Sequence, residues 1–409
     1  MSASAQARAG RPTAPTSVKP VCIAFRPFGG QRWLGGIHYL TTLLSALHEH
    51  ARNEVEAVLF APPTIEAETI DRLRPYLRRP PVPIGATDGR AQSLLTAVSD
   101  GARRRSTRFD SACSRHGVDL AFQHADWLGS RFSTPTLAWL GDFQHRVLPE
   151  MFPPSLRWKR ELRFRTVLGS ASLLYVLSEA DKALGRQFYP QFSSKLRALP
   201  FAVALPEAAG AGDPAAIRGR YSLPRRFVLF PGQLWKHKNH LTVIEAVARL
   251  KAKGSDVTVV SCGSPVDLRD PHHGARVRQR LVDLGIAEQF RILGMIPRPD
   301  TWALMRASIA VINPSLYEGW STPVEEAKAL GKPILLSDLA VHREQQPGLA
   351  AFFDPRDPDA VATALGQAWR ELGPGPCPDQ ERQASTALVP RRRAFAQDFV
   401  SLAREALQA

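Results

Sequence analysis

Two short stretches in the C-terminal half place charged side chains where a strand hands over to a helix. The first, Pro231-Gly-Gln-Leu-Trp-Lys-His-Lys-Asn-His240, sets Lys236 and Lys238 just after a strand-like run and just before a helix start. An anion held there is stabilised twice, by the ammonium groups and by the free N–H groups of the helix N-terminus. The second is Asn313-Pro-Ser-Leu-Tyr-Glu-Gly-Trp-Ser-Thr-Pro-Val-Glu-Glu326. It ends a strand, turns through a glycine and enters a helix at Pro323, a residue suited to a first turn because its missing N–H is not needed there. That order predicts Glu318 in the loop, Glu325 and Glu326 on the second helical turn, and the backbone N–H groups of Gly319, Trp320, Ser321 and Thr322 directed into a cleft. A third loop, Gly263-Ser-Pro265, has no distinctive chemistry.

The elements that must carry these loops follow from periodicity. Phe227 to Phe230, Val257 to Cys262, Phe290 to Leu293, Ile309 to Ile312, Ile334 to Leu336 and Ala351 to Phe353 are short β-branched or aliphatic runs of the kind buried on both faces. Between them, helical patterns cover His240 to Lys253, Ala275 to Leu284, Thr301 to Ala307, Pro323 to Leu330 and Val341 to Gln345. Such alternation predicts a doubly wound parallel sheet, with ligands bound beyond the carboxyl ends of its strands. The first half repeats the theme more loosely. Strand-like runs lie at Val21 to Phe25, Val55 to Phe60, Leu120 to Gln123, Thr136 to Leu140 and Ser172 to Leu177. The loop Pro27-Phe-Gly-Gly-Gln-Arg-Trp-Leu-Gly-Gly36 opens a helix over Ile37 to His50 whose Leu40, Leu43, Leu44 and Leu47 share one face. Ser178, with Asp181 three positions on, is a well-formed helix start. The expected divisions are a disordered tail at 1–19, an N-terminal domain at 20–204, a second domain at 205–385 and a C-terminal segment at 386–409 with a last helix over Arg391 to Leu407. Both domains are expected to be α/β and Rossmann-like, facing a cleft.

Composition narrows the classes. Of 409 residues, 44% are hydrophobic and 22% charged, which excludes wholesale disorder and collagen-like fibres. Cys22, Cys113, Cys262 and Cys377 are widely spaced, with neither a zinc spacing nor a disulfide framework, and a reducing cytoplasm is the expected setting. No stretch approaches the roughly 18 apolar residues that span a bilayer. The formal charge is +15, and residues 1–205 hold most of it, with 27 basic against 16 acidic side chains. Such a surplus implies an anionic partner: nucleic acid, acidic membrane or phosphorylated substrate.

The segment from Pro314 to Pro333 resembles the signature of glycosyltransferase family 4, the retaining nucleotide-sugar transferases with a GT-B fold. Its two glutamates, separated by seven residues, fall here on Glu318 and Glu326, which leaves Glu325 as a solvent-side neighbour. The likeness extends through Pro231 to His240, Arg291-Ile-Leu-Gly294 and Asp142-Phe-Gln-His145. The resemblance implies a phosphate-binding role for Lys238, with Lys236 assisting. It implies sugar contact or transition-state support for Glu318, and bonds from Glu326 to ribose. Gly35 and Gly36 match the glycine loop that approaches the donor phosphates, and His145, with Asp142, matches the cleft histidine that meets sugar or acceptor. Gln233 stands where the family has an arginine; Lys236, or Arg26 and Arg32 across the cleft, are the candidates to supply that charge. No metal or cofactor is expected.

The form of the lysine loop resembles mannosyltransferases, so GDP-mannose is the favoured donor, and a polysaccharide or lipid-linked oligosaccharide the expected acceptor. A GT-B sugar-nucleotide epimerase or disaccharide-phosphate synthase would need further acids in the first domain. A nucleic-acid-binding protein, suggested by charge, lacks a reader motif. Leu162, Phe164 and Trp158 interleave with Arg157, Lys159, Arg160, Arg163 and Arg165 on a helix after Pro153-Pro154, a pattern suited to peripheral contact with acidic membrane.

Overall fold

The computed structural model describes residues 19–28, 34–85, 99–124, 127–205 and 212–409. Every strand pairing is parallel, and the strands fall into two sheets. The first contains β1 (Val21–Phe25), β2 (Val55–Ala61), β3 (Val82–Pro83), β4 (Leu120–His124), β5 (Thr136–Trp139), β6 (Leu173–Val176) and β7 (Leu196–Ala198), in the order β3-β2-β1-β4-β5-β6-β7. The second contains β8 (Val228–Pro231), β9 (Val259–Cys262), β10 (Phe290–Ile292), β11 (Ala310–Asn313), β12 (Ile334–Ser337) and β13 (Ala350–Phe353), in the order β10-β9-β8-β11-β12-β13. The central strands are buried along their whole length, as their aliphatic runs require.

Strand order reverses between β1 and β4 and between β8 and β11. Crossovers on either side of a reversal leave on opposite faces, which opens a crevice beyond the carboxyl ends of the two strands. The lysine loop leaves β8 and the glutamate loop leaves β11, so both flank the second reversal. The glycine-rich segment leaves β1 at the first; its residues 29–33, Arg32 included, lie outside the described residues.

Helices of the first half include α1 (Leu34–His50), α2 (Ala67–Leu73), α3 (Thr107–Arg115), α4 (Gln144–Val147), α5 (Pro154–Ser170) and α6 (Glu179–Phe188). Leu40, Leu43, Leu44 and Leu47 of α1 are buried in the first core, as their spacing predicts. At α6, Ser178 Oγ accepts from the Asp181 N–H at 3.0 Å, the anticipated cap. The second half holds α7 (Pro214–Arg220), α8 (His240–Ala252), α9 (His273–Asp283), α10 (Arg298–Ala307), α11 (Thr322–Ala329), α12 (Ala340–Glu344), α13 (Pro358–Glu371) and α14 (Pro378–Ala406).

Three features differ from the sequence expectation. Helix α1 begins at Leu34, so Gly35 and Gly36 lie inside its first turn rather than ahead of it. The edge strands β3 and β7, of two and three residues, and helices α2, α3, α4 and α13 were not anticipated. Helix α14 starts at Pro378, well before Arg391, in a stretch with too few apolar residues to show a period. Tertiary contacts hold that first half instead: Arg306 pairs with both carboxylate oxygens of Glu381, at 2.8 and 3.1 Å. Past Pro390 the helix crosses to the first sheet, where Phe395, Ala396, Phe399, Val400 and Ala403 join the core built on α1. Arg392 reaches Glu49 of α1 at 2.8 Å. No helix among the described residues is long and apolar enough to cross a membrane.

Candidate active site

The loop after β8 is folded back on the strands beside it. Gly232 N–H donates to the Cys262 carbonyl at 2.9 Å, and Leu234 N–H to that of Ser264 at 2.8 Å. Gly263 makes this possible: its φ is +148°, and a Cβ there would lie 2.4 Å from the Gly232 carbonyl oxygen. The Gly263 loop, which has no distinctive chemistry in the sequence, therefore shapes the lysine loop. Asn239, left-handed at φ 63°, ends the turn and starts α8. Its amide donates to the carbonyls of Pro314 and Pro355 at 3.1 and 2.6 Å. Leu316 N–H donates to the His237 carbonyl at 2.8 Å. The lysine loop and the glutamate loop are thus stitched into one unit.

At their junction Lys238 Nζ donates to Glu318 Oε1 at 2.6 Å, with both side chains largely shielded from water. The Ser315 hydroxyl lies at 2.6 Å from the same oxygen. Lys236 is exposed on the turn, its backbone N–H on Asp267 at 3.2 Å. Gln233 is half-buried beside it. His237 is buried next to Arg269, and burial, with Lys238 and Arg269 adding repulsion, pushes its imidazole well below its usual range. Arg269 is itself tied to Asp267 at 2.8 Å and reaches across to the Gln144 side chain of α4. Of the proposed compensating arginines, Arg26 stacks over the Phe109 ring at 5.2 Å.

The two glutamates of α11 diverge. Glu326 accepts from Arg298 Nη2 at 2.7 Å and from the Trp302 indole at 2.9 Å, both on α10. Glu325 is fully buried, not solvent-side, which corrects the sequence expectation. It receives Lys328 and Gln345 at 3.1 Å each and pairs with Arg391 of α14. The reason is geometric: one position along a helix is a turn of about 100°, and α14 covers that flank.

Across the cleft the glutamate loop touches the first domain directly. A Cβ on Gly319 would lie 2.6 Å from the Gly141 carbonyl oxygen, 3.0 Å from Asp181 Oδ2 and 3.2 Å from Asp142 Cβ. The close approach of backbone from the other domain thus requires glycine here. Beside it the Tyr317 hydroxyl accepts from the Phe143 N–H at 2.8 Å and donates to Asp181 Oδ1 at 2.7 Å. Asp181 is buried and its Oδ2 has no partner among the described residues. Burial raises its carboxyl well above the usual range; Tyr317 opposes this, and Asp142, Glu344 and Glu318 reinforce it. A buried carboxyl whose ionisation is disfavoured therefore stands beside Gly319.

The other expected residues are placed as follows. Asp142 is half-exposed, bound to Arg160 of α5 at 2.5 Å and to the Gln144 N–H at 2.8 Å. His145 does not reach the cleft: it is fully buried, 3.3 Å from Glu161 and edge-on to Phe164, and burial pushes its pKa down to about 4. Helix α4 starts one residue earlier, so Gln144 faces Arg269 while His145 turns toward α5. The Trp320 indole donates to the Phe201 carbonyl at 3.0 Å, at the exit of the first domain. Ser321 is buried and accepts from the Asn313 amide at 2.5 Å, and Thr322 begins α11. Gly36 is buried and Gly35 exposed in the first turn of α1. Among the described residues no three His, Cys, Asp or Glu side chains gather as a metal site.

Sequence reasoning passed over Tyr317, Asp181 and Arg298. Arg298 carried a usable signal, since a cation in the first turn of a helix opposes the dipole and calls for a carboxylate partner. Asp181 carried none, because its proximity to Gly319 exists only once the two domains meet.

Residues 218–371 match the family described as glycosyl transferases group 1. Two curated relatives share 32% identity with parts of the chain. One is O-antigen chain mannosyltransferase B of Escherichia coli, over 99 residues, covering 23% of this chain and 26% of that protein. The other is D-inositol 3-phosphate glycosyltransferase of Salinispora tropica, over 168 residues, covering 38% of this chain and 34% of the relative. The chain thus spans only about a quarter to a third of the length of these two. A glycosyltransferase structure from Rickettsia africae ESF-5 superposes with a TM-score of 0.68 at 14% identity, covering 96% of this chain and 100% of that one, and this likeness concerns the fold. With two parallel sheets and the paired loops at the second switch point, the chain has the GT-B fold, and within it residues 218–371 are similar to the glycosyl transferases group 1.

Proposed function

We propose that this protein transfers a hexosyl group, with retention, from a nucleotide sugar to a polysaccharide or lipid-linked oligosaccharide, and that the donor is GDP-mannose. The observation that carries the proposal is the Lys238–Glu318 pair, seated where β8 and β11 reverse the strand order and next to the N-terminus of α8. Departure of a nucleoside diphosphate leaves negative charge on the phosphate and positive charge on the ring. In this reading Lys238, with exposed Lys236 and the first N–H groups of α8, receives the former. Glu318 then exchanges its lysine partner for the sugar hydroxyls, and Glu326, steadied by Arg298, accepts from the ribose. Asp142, at the same seam, meets the sugar or the acceptor. Neutralisation by lysine assigns no step to a metal, so turnover is expected to persist in a chelator.

The mannosyl choice is supported by the mannosyltransferase relative and by the form of the lysine loop. The inositol-phosphate relative favours a second reading, in which the acceptor is a small phosphorylated polyol. A panel of nucleotide sugars scored by thermal shift separates donors, because a ligand binding only the folded state raises stability by RT ln(1 + [L]/Kd), about 2.7 kcal/mol at one hundred times Kd. The largest shift is expected with GDP-mannose. No shift with any GDP, UDP or ADP sugar would overturn the proposal.

A further inference from the structure

Helix α5 is apolar on two faces, and its fold accounts for only one. Phe164, Val167 and Leu168 are buried in a core cluster with Phe143, Tyr189 and Leu196. That is the face any helix packed on this sheet needs. Residues 153–159, however, are all exposed, so the first turns of α5 project beyond the body of the domain. On this projecting end Trp158 is 65% exposed, and Leu162, one turn on, is 51% exposed; Leu156 adds a third apolar side chain at 38%. Spaced four apart, Trp158 and Leu162 form a ridge on the side turned away from Phe164. Burying neither is required for the helix to hold, and exposing a tryptophan and a leucine side by side without a partner is unfavourable, whereas Leu156, two positions before Trp158, points away from this ridge.

The charge around that ridge is one-sided. Residues 155–166 contain Arg157, Lys159, Arg160, Arg163 and Arg165 against the single acid Glu161. Glu161 is already engaged by Tyr189 at 2.7 Å and Arg165 at 2.8 Å, and Arg160 by Asp142. Arg157 and Lys159 are exposed, and neither head group has a hydrogen-bond or ion-pair partner among the described residues. An aromatic ring and aliphatic side chains flanked by free cations match the boundary between lipid headgroups and acyl chains, where tryptophan is favoured and basic side chains meet anionic headgroups. Nucleic acid would satisfy the cations but would leave the Leu162 side chain without an apolar partner.

We propose that the projecting N-terminal turns of α5, through the Trp158 and Leu162 ridge flanked by Arg157 and Lys159, dock the protein on a bilayer rich in anionic phospholipid. The contact stands beside the cleft: Arg160 on the same helix holds Asp142, whose neighbour in the fold is Gly319. A bilayer bound there comes close to the mouth of the site. The inference does not rest on the transferase reading, because binding is measured without turnover.

The test is cosedimentation of the full chain with vesicles of phosphatidylglycerol and phosphatidylcholine, against vesicles of phosphatidylcholine alone. Binding is expected only to the anionic vesicles and weakens as salt rises. Arg157→Gln with Lys159→Gln is expected to weaken it about twenty-five-fold, the product of two losses near fivefold, each equivalent to ~1 kcal/mol. Trp158→Ser with Leu162→Ser should weaken it by about tenfold or more. All four side chains are exposed, so unchanged melting temperatures are expected and establish that the variants are folded. Equal binding to both vesicle types, unaltered binding by either double variant, or displacement of the wild-type protein from vesicles by a short oligonucleotide would each overturn the proposal.

Discussion

Lys238 and Glu318 neutralise one another at 2.6 Å in a shielded setting, so each is the other's counter-charge until a ligand replaces it. Removing one strands the other, and a partly buried charge without its partner is costly. Lys238→Ala is therefore expected to abolish the thermal shift given by the best nucleotide sugar. Glu318→Gln is expected to keep much of that shift while lowering kcat by about a hundredfold or more, the scale of losing one group that stabilises transition-state charge. A Lys238→Ala protein that still responds fully to the donor would remove the phosphate role. His145 belongs to a different account: with its ring fully buried against Phe164 and Glu161, its replacement should alter stability rather than donor binding.

Helix α11 divides its labour between adjacent glutamates. Glu326 faces Arg298 and Trp302 of α10, while Glu325 ties α11 to α14 through Arg391 and to its own next turn through Lys328. Glu325→Ala leaves two cations in a shielded site, which predicts a loss of about 3–5 kcal/mol. The measurement is the urea midpoint, with donor binding checked on the folded fraction; a midpoint within error of wild type would contradict the assigned role. At this scale much was legible in the sequence. All strands but the short edges β3 and β7 showed as aliphatic runs, the first-turn proline marked α11, and Ser178 marked α6. The first half of α14 was not legible, because Arg306, pairing with Glu381 of the helix, and the turn at Gly331 hold it from outside its own sequence.

For the whole molecule, burial shifts several histidines in one direction. His145 is pushed down to about 4, and His38, His124 and His240 to about 3, burial being the main cause in each. Unfolded, these groups bind a proton near 6.5; folded, they stay neutral until far lower pH. Between those values the unfolded chain holds more protons, so stability is lost as pH falls through that window. Asp181, raised rather than lowered, acts with the opposite sign and offsets only part of this. A lower urea midpoint at pH 5.0 than at pH 7.5 is expected, and an equal or higher one would refute it. The sequence alone determined the doubly wound class, because that rests on local periodicity, and by resemblance to a family motif it singled out Lys238, Glu318 and Glu326 as candidates. Tertiary structure decided which charges meet. The Lys238–Glu318 pair, the burial of Glu325, the withdrawal of His145 and the Tyr317–Asp181 contact all join residues brought together by sheet order and domain apposition, and through-space distance is what sets an electrostatic interaction.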